Sequence, residues 1–237
     1  MTRTLITIAT YNELENLPTL VEQIFQIVPH VNLLVIDDNS PDGTGRWADE
    51  AAANDARVHV LHRAGKLGLG TATIAGMKYA IEHDYEQVLN LDADFSHHPR
   101  YIPALLAGMN AADVMIGSRY VPGGGVKDWP LKRRLMSRGV NLYARALLGL
   151  RPRDCSGAYR CYRVALLKKL DFNTIQSRGY SFQEEVLWHL KKAGATFGET
   201  PILFADRERG QSKINSREAL NALWIIFRFG VKNWLGV

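Results

Sequence analysis

Between residues 4 and 117 short apolar runs alternate with amphipathic segments, and few folds accommodate that rhythm. Residues 4–10, 32–36, 58–61, 88–92 and 113–117 are rich in Val, Ile and Leu and bounded by polar or turn residues, as buried strands are. After the first run, Leu17, Leu20, Val21, Ile24, Phe25 and Val28 share one helical face that Pro29 stops. The turn Ser40-Pro-Asp-Gly43 launches a second helix to about Ala53. A glycine loop, Lys66-Leu-Gly-Leu-Gly-Thr-Ala72, opens a third that ends near His83, and a fourth runs from about Arg100 to Gly108. This alternation predicts the α/β class, a mainly parallel central sheet with helices on both faces and right-handed crossovers.

Three of the runs stop at polar clusters: Tyr11-Asn-Glu13, Asp37-Asp38 and Asp92-Ala-Asp94. In open parallel sheets ligands lie beyond the carboxyl ends of the strands, so these clusters mark one candidate rim. On extended backbone two carboxylates spaced i, i+2 point the same way and can share a hard cation. An isolated Asp-x-Asp serves equally as a turn and helix cap. Gly68-Leu-Gly70 matches neither the P-loop nor the dinucleotide fingerprint, which removes support for an ATPase or a dehydrogenase.

The net charge of +5 conceals an asymmetry. Residues 1–60 carry three Lys/Arg against nine Asp/Glu, whereas residues 119–163 carry eleven Lys/Arg against Asp128 and Asp154. The basic block is interleaved with Trp129, Tyr143, Tyr159 and Tyr162 and calls for an anionic partner: phosphate, nucleic acid or a membrane surface. Acidic strand ends and a metal pair have no use in a nucleic-acid module, so nucleic acid is not expected. Residues 131–150 read as a helix with Leu131, Leu135, Leu142 and Ala146 on one face and Arg134, Arg138, Asn141 and Arg145 on another. Such a helix either meets an anionic membrane or packs on the sheet. Ser181 can cap a helix over residues 182–193, which Gly194 ends, and residues 196–204 form the last strand. Residues 216–235 form an amphipathic helix whose apolar face, with Leu223, Trp224, Phe227 and Trp234, is too wide for a free surface helix in water. No run reaches the roughly 18 residues of a spanning segment, no secretory signal is present, and Cys155 and Cys161 lack metal-ligand spacing. A cytoplasmic protein, peripheral on the cytosolic face of a membrane, is expected.

At a finer grain, eight blocks occur in family order. They are Thr10-Tyr-Asn-Glu13, Asp37 to Thr44, Lys66 to Ala72, Asp92 to Pro99, Gly117-Ser-Arg-Tyr120, Leu131-Lys-Arg-Arg134 with Ser137-Arg-Gly139, Gly179 to Glu185, and Asp206 to Lys213. With them the chain resembles the dolichol- or polyprenol-phosphate mannose synthases of glycosyltransferase family 2, which have the GT-A nucleotide-sugar fold. The resemblance implies inverting transfer of mannose from GDP-mannose to a polyprenyl or dolichyl phosphate, aided by Mg2+ or Mn2+. It implies a catalytic domain over residues 1–215, with a nucleotide-sugar half to 117 and an acceptor half after it, and an appended segment 216–237 that contacts a membrane surface or a small membrane subunit. By motif, Tyr11, Glu13, Ile36 and Asp38 would contact base and ribose, and Asp92 and Ala93 would border the nucleotide. Asp94, with Asp92, would bind metal. Arg119, Arg207 and Lys213 would hold diphosphate or sugar, and Arg133, Arg134 and Ser137 the acceptor phosphate; Asp94 and Arg119 carry the catalytic assignment. Ser96 stands where some relatives have a glutamine metal ligand, and Ala9 and Asn39 replace a common proline and glycine. A phosphate monoester, with a second pKa near about 6, is anionic at pH 7 and attacks without a strong base. Glu184 and Glu185 are therefore expected on the helix surface or anchoring a loop. Transfer of glucose from UDP-glucose to a lipid phosphate is the neighbouring alternative.

Overall fold

The computed structural model describes residues 2–177, 179, 181–205 and 216–235, with backbone alone over 216–221. Seven strands form one sheet in the order β3-β2-β1-β4-β7-β5-β8. They are β1 (Thr4–Thr10), β2 (Asn32–Asp37), β3 (Val58–His62), β4 (Gln87–Asp92), β5 (Val114–Ser118), β7 (Arg160–Arg163) and β8 (Phe197–Pro201). All neighbours are parallel except β7, which runs antiparallel between β4 and β5. Two residues each of β6 (Gly125–Val126) and β9 (Leu203–Phe204) pair in a separate parallel ribbon.

Alternation along the strands sorts the core into two layers. Ile6, Ile8, Leu33 and Val35 face α1 (Leu17–Ile27), α2 (Thr44–Asn54) and α4 (Ile102–Gly108). Leu5, Leu34 and Ile36 face the layer containing α3 (Leu69–Glu82), α5 (Leu131–Leu148), α6 (Val164–Leu167), α7 (Phe182–Lys192) and α8 (Ser216–Leu235). The mainly parallel α/β sheet with helices on both faces is thus present. Residues 196–204, expected as one strand, are split: β8 extends the main sheet and β9 leaves it for β6. The fourth helix begins as a 3-10 turn, Pro99–Tyr101. Ser181 precedes α7, but its hydroxyl donates to Ser177 Oγ (2.9 Å) and caps no helical N–H.

Helix α5 corrects a simple inside-outside expectation. Its apolar line is the outward one: Leu131, Leu135 and Leu142 are 71, 60 and 65% exposed. It buries Asn141, Ala144 and Leu148 instead. Asn141 tolerates burial because its amide donates to Ser137 O (2.8 Å) and Ser156 Oγ (3.1 Å) and accepts from the amides of Cys155 (2.6 Å) and Ser156 (3.2 Å). Helix α8 lies against α5 so closely that a Cβ on Gly230 would stand 2.9 Å from Leu147 Cβ. It buries Ile226 and Phe229 and leaves Trp224, Phe227, Val231, Trp234 and Leu235 in the open. No helix among the described residues is long and apolar enough to cross a membrane.

Candidate functional site

The chain builds outward from β1 to β3, then returns to place β4 on the other side of β1, so a crevice opens where their carboxyl ends diverge. The ends are level: Thr10 is in register with Asp37, and Ala9 with Asp92. The loops after β1 and β2 are laced together by Asn12 N to Ser40 Oγ (3.0 Å), Glu13 N to Thr44 Oγ1 (3.0 Å) and Leu14 N to Asp42 Oδ2 (3.1 Å). The adjacent aspartates divide the work. Asp37 is structural, accepting from Thr10 Oγ1 (3.3 Å), Ser40 N (3.1 Å) and Ser40 Oγ (2.5 Å). Asp38 Oδ1 lies 3.0 Å from Arg63 Nη1, yet the angle makes no hydrogen bond, and both buried atoms lack such a partner. Burial raises the Asp38 carboxyl above its ordinary range, against the charge of Arg63. Two buried groups without hydrogen-bond partners at a strand end are poised for a ligand that supplies them. Arg63, fixed through Nη2 to Thr71 Oγ1 (2.5 Å), was not legible as a site residue. Tyr11 is exposed with Lys66 Nζ 4.8 Å above its ring, and Glu13 Oε2 accepts from Asn16 Nδ2 (3.0 Å). The Ile36 side chain is wholly buried in the core, one residue inside the strand end, and its carbonyl accepts from Thr10 Oγ1 (3.3 Å), so any contact it makes with a ligand is through backbone.

The turn after β4 is built from oxygen. Asp94 Oδ1 accepts the Ser96 amide (3.1 Å) around Phe95, whose φ is +60°. Ala93 is buried, and Ser96 Oγ is buried without a hydrogen-bond partner. His97 lies beside Asp92 Oδ2 (3.5 Å), but its Nδ1 accepts the Asp92 amide (3.2 Å) and so carries no proton there; the contact is no ion pair. Among the described residues no three His, Cys, Asp or Glu gather around one point. Two carboxylates and an orphaned hydroxyl, all oxygen, fit Mg2+ or Mn2+, which completes its shell with diphosphate and water rather than with a protein cage.

Arg119 is held in place by protein. Its Nε and Nη2 fork faces Asp154, at 2.7 Å to each oxygen, and its amide adds a third bond at 2.9 Å. That edge of the guanidinium is engaged by Asp154, which fixes the orientation of the remaining edge. Burial opposes both charges, but the pairing raises Arg119 and holds Asp154 below the usual carboxylate range. The Arg119 guanidinium lies 5.3 Å from the ring of Tyr120 and 5.6 Å from those of Trp129 and Phe204. These rings form a bridge: His97 meets Phe204 (5.5 Å), Phe204 meets Trp129 (5.5 Å), and Arg133 covers Trp129 (4.0 Å). Ser137 Oγ accepts from Tyr120 Oη (2.6 Å), while Arg134 is exposed. The metal-type turn and the head of basic α5 thus adjoin one aromatic unit. Arg207 and Lys213 lie outside the described residues.

Behind this unit Glu185 anchors a loop, as expected, by accepting the amides of Gln176 and Ser177 (2.7 Å each). Glu184 contradicts its surface placement: it is 2% exposed, among the charges of Arg160, Asp154 and Arg119, and burial pushes its carboxyl up to about 7. A pKa raised on folding contributes stability in full below the unfolded value of 4.5 and loses it as pH rises through about 7. Glu184→Gln is therefore expected to remove about 3 kcal/mol of the stability lost between pH 4.5 and 8. Urea midpoints at both ends of that window test this, and parallel pH slopes in the two proteins would refute it.

Comparison with known proteins adds a second line. The profile of glycosyl transferase family 2 matches residues 5–171. The chain is 43% identical over 235 residues to the polyprenol monophosphomannose synthase of Mycolicibacterium smegmatis, covering 98% of this chain and 89% of that protein. It is 43% identical over 236 residues to the undecaprenyl-phosphate mannosyltransferase of Micrococcus luteus, covering 99% and 97%. Among solved structures, the glucosyl-3-phosphoglycerate synthase of Mycobacterium tuberculosis bound to phosphoglyceric acid superposes with a TM-score of 0.68 at 16% identity, over 96% of this chain and 80% of that one. The same enzyme with Mn2+, uridine diphosphate and glucosyl-3-phosphoglycerate gives 0.63 at 17%, over 99% and 79%. At those identities the likeness speaks for the fold.

Proposed function

The chain belongs to glycosyltransferase family 2 and is a glycosyltransferase with the GT-A fold, and we propose that it transfers mannose from GDP-mannose to a polyprenyl phosphate with inversion. One observation carries the reading: the oxygen-rich Asp92–Ser96 turn and the Arg133–Ser137 head of α5 adjoin the same aromatic unit. The relatives named for polyprenol-type acceptors support the acceptor class, and the Mn2+-bound neighbour supports a divalent ion.

In this mechanism Tyr11, Glu13 and the Asp38–Arg63 pair receive the nucleoside. Asp94 and Asp92, with Ser96 Oγ, would hold the cation. Bound Mg2+ or Mn2+ supplies Lewis-acid neutralisation of the charge that gathers on a departing diphosphate. Arg133 and Arg134 offset the repulsion between the incoming phosphate and the donor, and Ser137 orients the phosphate through its hydroxyl. Arg119, oriented by Asp154, offers its remaining guanidinium edge to diphosphate or sugar. The acceptor oxygen is already anionic and attacks the anomeric carbon directly, so no carboxylate removes a proton. Arg207 and Lys213, from motifs beyond the described residues, complete the proposed cation set.

The exposed leucines of α5 and the exposed tryptophans of α8, flanked by Lys132, Arg138, Arg228 and Lys232, suit peripheral attachment to an anionic membrane, on its cytosolic face where nucleotide sugars are at hand. The test is transfer from labelled GDP-mannose or UDP-glucose to a short polyprenyl phosphate in phosphatidylglycerol vesicles. Label is expected in lipid from GDP-mannose alone, and the protein is expected to float with the vesicles. Label from UDP-glucose alone would replace the mannose reading by the glucosyl one, and failure to float would return the attachment to a membrane subunit.

A further inference from the structure

Beyond Ser137, further along α5, a cavity of about 280 Å³ is lined by Tyr120, Arg138, Asn141, Leu142, Arg145 and Arg153. It is several times the ~30 Å³ share of one water. Its neutral polar groups are already engaged: Tyr120 Oη donates to Ser137, and Asn141 makes the four bonds described above. Its cations are not. Among the described residues none of the guanidinium groups of Arg138, Arg145 and Arg153 pairs with a carboxylate, and Arg145 Nε is buried without a hydrogen-bond partner. The neighbouring Glu199 uses both oxygens on the amides of Arg153 and Asp154 (2.8 and 3.0 Å). Three like charges around one hollow repel each other until an anion enters, and a recess lined by one sign concentrates the field that draws it in.

We propose that this pocket is a second anion site that binds a phosphate group, separate from the acceptor position at Arg133, Arg134 and Ser137. Guanidinium forks match phosphate oxygens bidentately, which a cluster of lysines would not do. The pocket's apolar rim points to the source of that phosphate. Leu142 is open to solvent and lies on the outward line of Leu131 and Leu135, so an acyl chain leaving the pocket would run along the face offered to the bilayer. A lipid headgroup bound here would fix the rotation of α5 on the membrane. Free phosphate shares the chemistry but gains nothing from the rim.

Calorimetric titration of the full chain at physiological ionic strength separates these cases without any sugar donor, so its outcome is independent of the proposed activity. The probes are inorganic phosphate, dihexanoyl phosphatidylglycerol below its micellar concentration, and dihexanoyl phosphatidylcholine. Wild type is expected to bind the first two. Arg145→Gln with Arg153→Gln is expected to weaken both about tenfold or more, and Arg145→Lys with Arg153→Lys, which keeps charge and bulk but loses the fork, by less. Arg151→Gln with Lys169→Gln, exposed cations outside the pocket, is expected to change either by less than about twofold. Tighter binding of phosphatidylglycerol than phosphate identifies a lipid headgroup; equal binding identifies a free anion in the same site. No phosphate binding by wild type, or equal losses in the pocket and control variants, would overturn the proposal.

Discussion

Replacing Asp154 by alanine is expected to destabilise the fold by about 3–5 kcal/mol. The carboxylate is fully buried and accepts four bonds, three from Arg119 and one from the Gly157 amide (3.0 Å). Removing it strands the charge of Arg119 where water does not reach, with buried Arg160 nearby. Breaking one side of such a pair is far worse than never having had it, because the remaining ion keeps its desolvation penalty. For a chain of this size the melting temperature falls by about 6–20 °C. Asp154→Asn, which keeps the shape and an acceptor oxygen, is expected to lose less. Urea denaturation at pH 7 reads the result, and an alanine variant within about 1 kcal/mol of wild type would show that water or another group already serves Arg119.

The second large effect is chemical. Asp94→Ala, and Asp94→Asn with its turn acceptor retained, are expected to lower transfer by at least about 10²-fold. Chelation by EDTA is expected to do the same to wild type, with recovery on adding Mg2+ or Mn2+. Both variants are expected to unfold near the wild-type urea midpoint, since a half-buried turn residue carries little of the core. Mn2+ binding measured by electron paramagnetic resonance gives a readout apart from turnover, and Ser96→Ala belongs in that series because its hydroxyl is buried without a hydrogen-bond partner. A fully active Asp94→Ala enzyme would remove the metal assignment.

The nucleotide end was legible because period and punctuation agree there. β1 runs from Thr4 to Thr10 as its composition dictates, and each acidic cluster sits at a strand end. The second half was read less well, for identifiable reasons. β7 is four residues, Arg160–Arg163, two of them arginine, and nothing in that string resembles a central strand. It is central because Arg160 donates to the carbonyls of Gln183 (2.8 Å) and Cys155 (2.6 Å) and Arg163 pairs with Asp113 (3.0 Å). Two of these partners, Gln183 and Asp113, are remote in sequence. The same remoteness hid the Arg119–Asp154 pair, 35 residues apart, and the burial of Glu184, which lies on a helix sequestered from water throughout its first turns. Local pattern reveals which elements form; which charges neutralise one another emerges only when distant segments meet.

The reversed strand also sets an order of events. β4 and β5 both precede residue 119, yet they do not touch as neighbours: β7 stands between them, its Arg163 in register with Gln87 and its Arg160 with Asn90. A ribosome that has released only residues up to 117 has produced two strands whose shared partner is still unmade. The end of β5 is therefore no boundary for folding, and the nascent chain must wait until residue 163 has emerged before the sheet closes. Strand β4, which ends at Asp92, thus gains its second neighbour only after the basic helix α5 has been made.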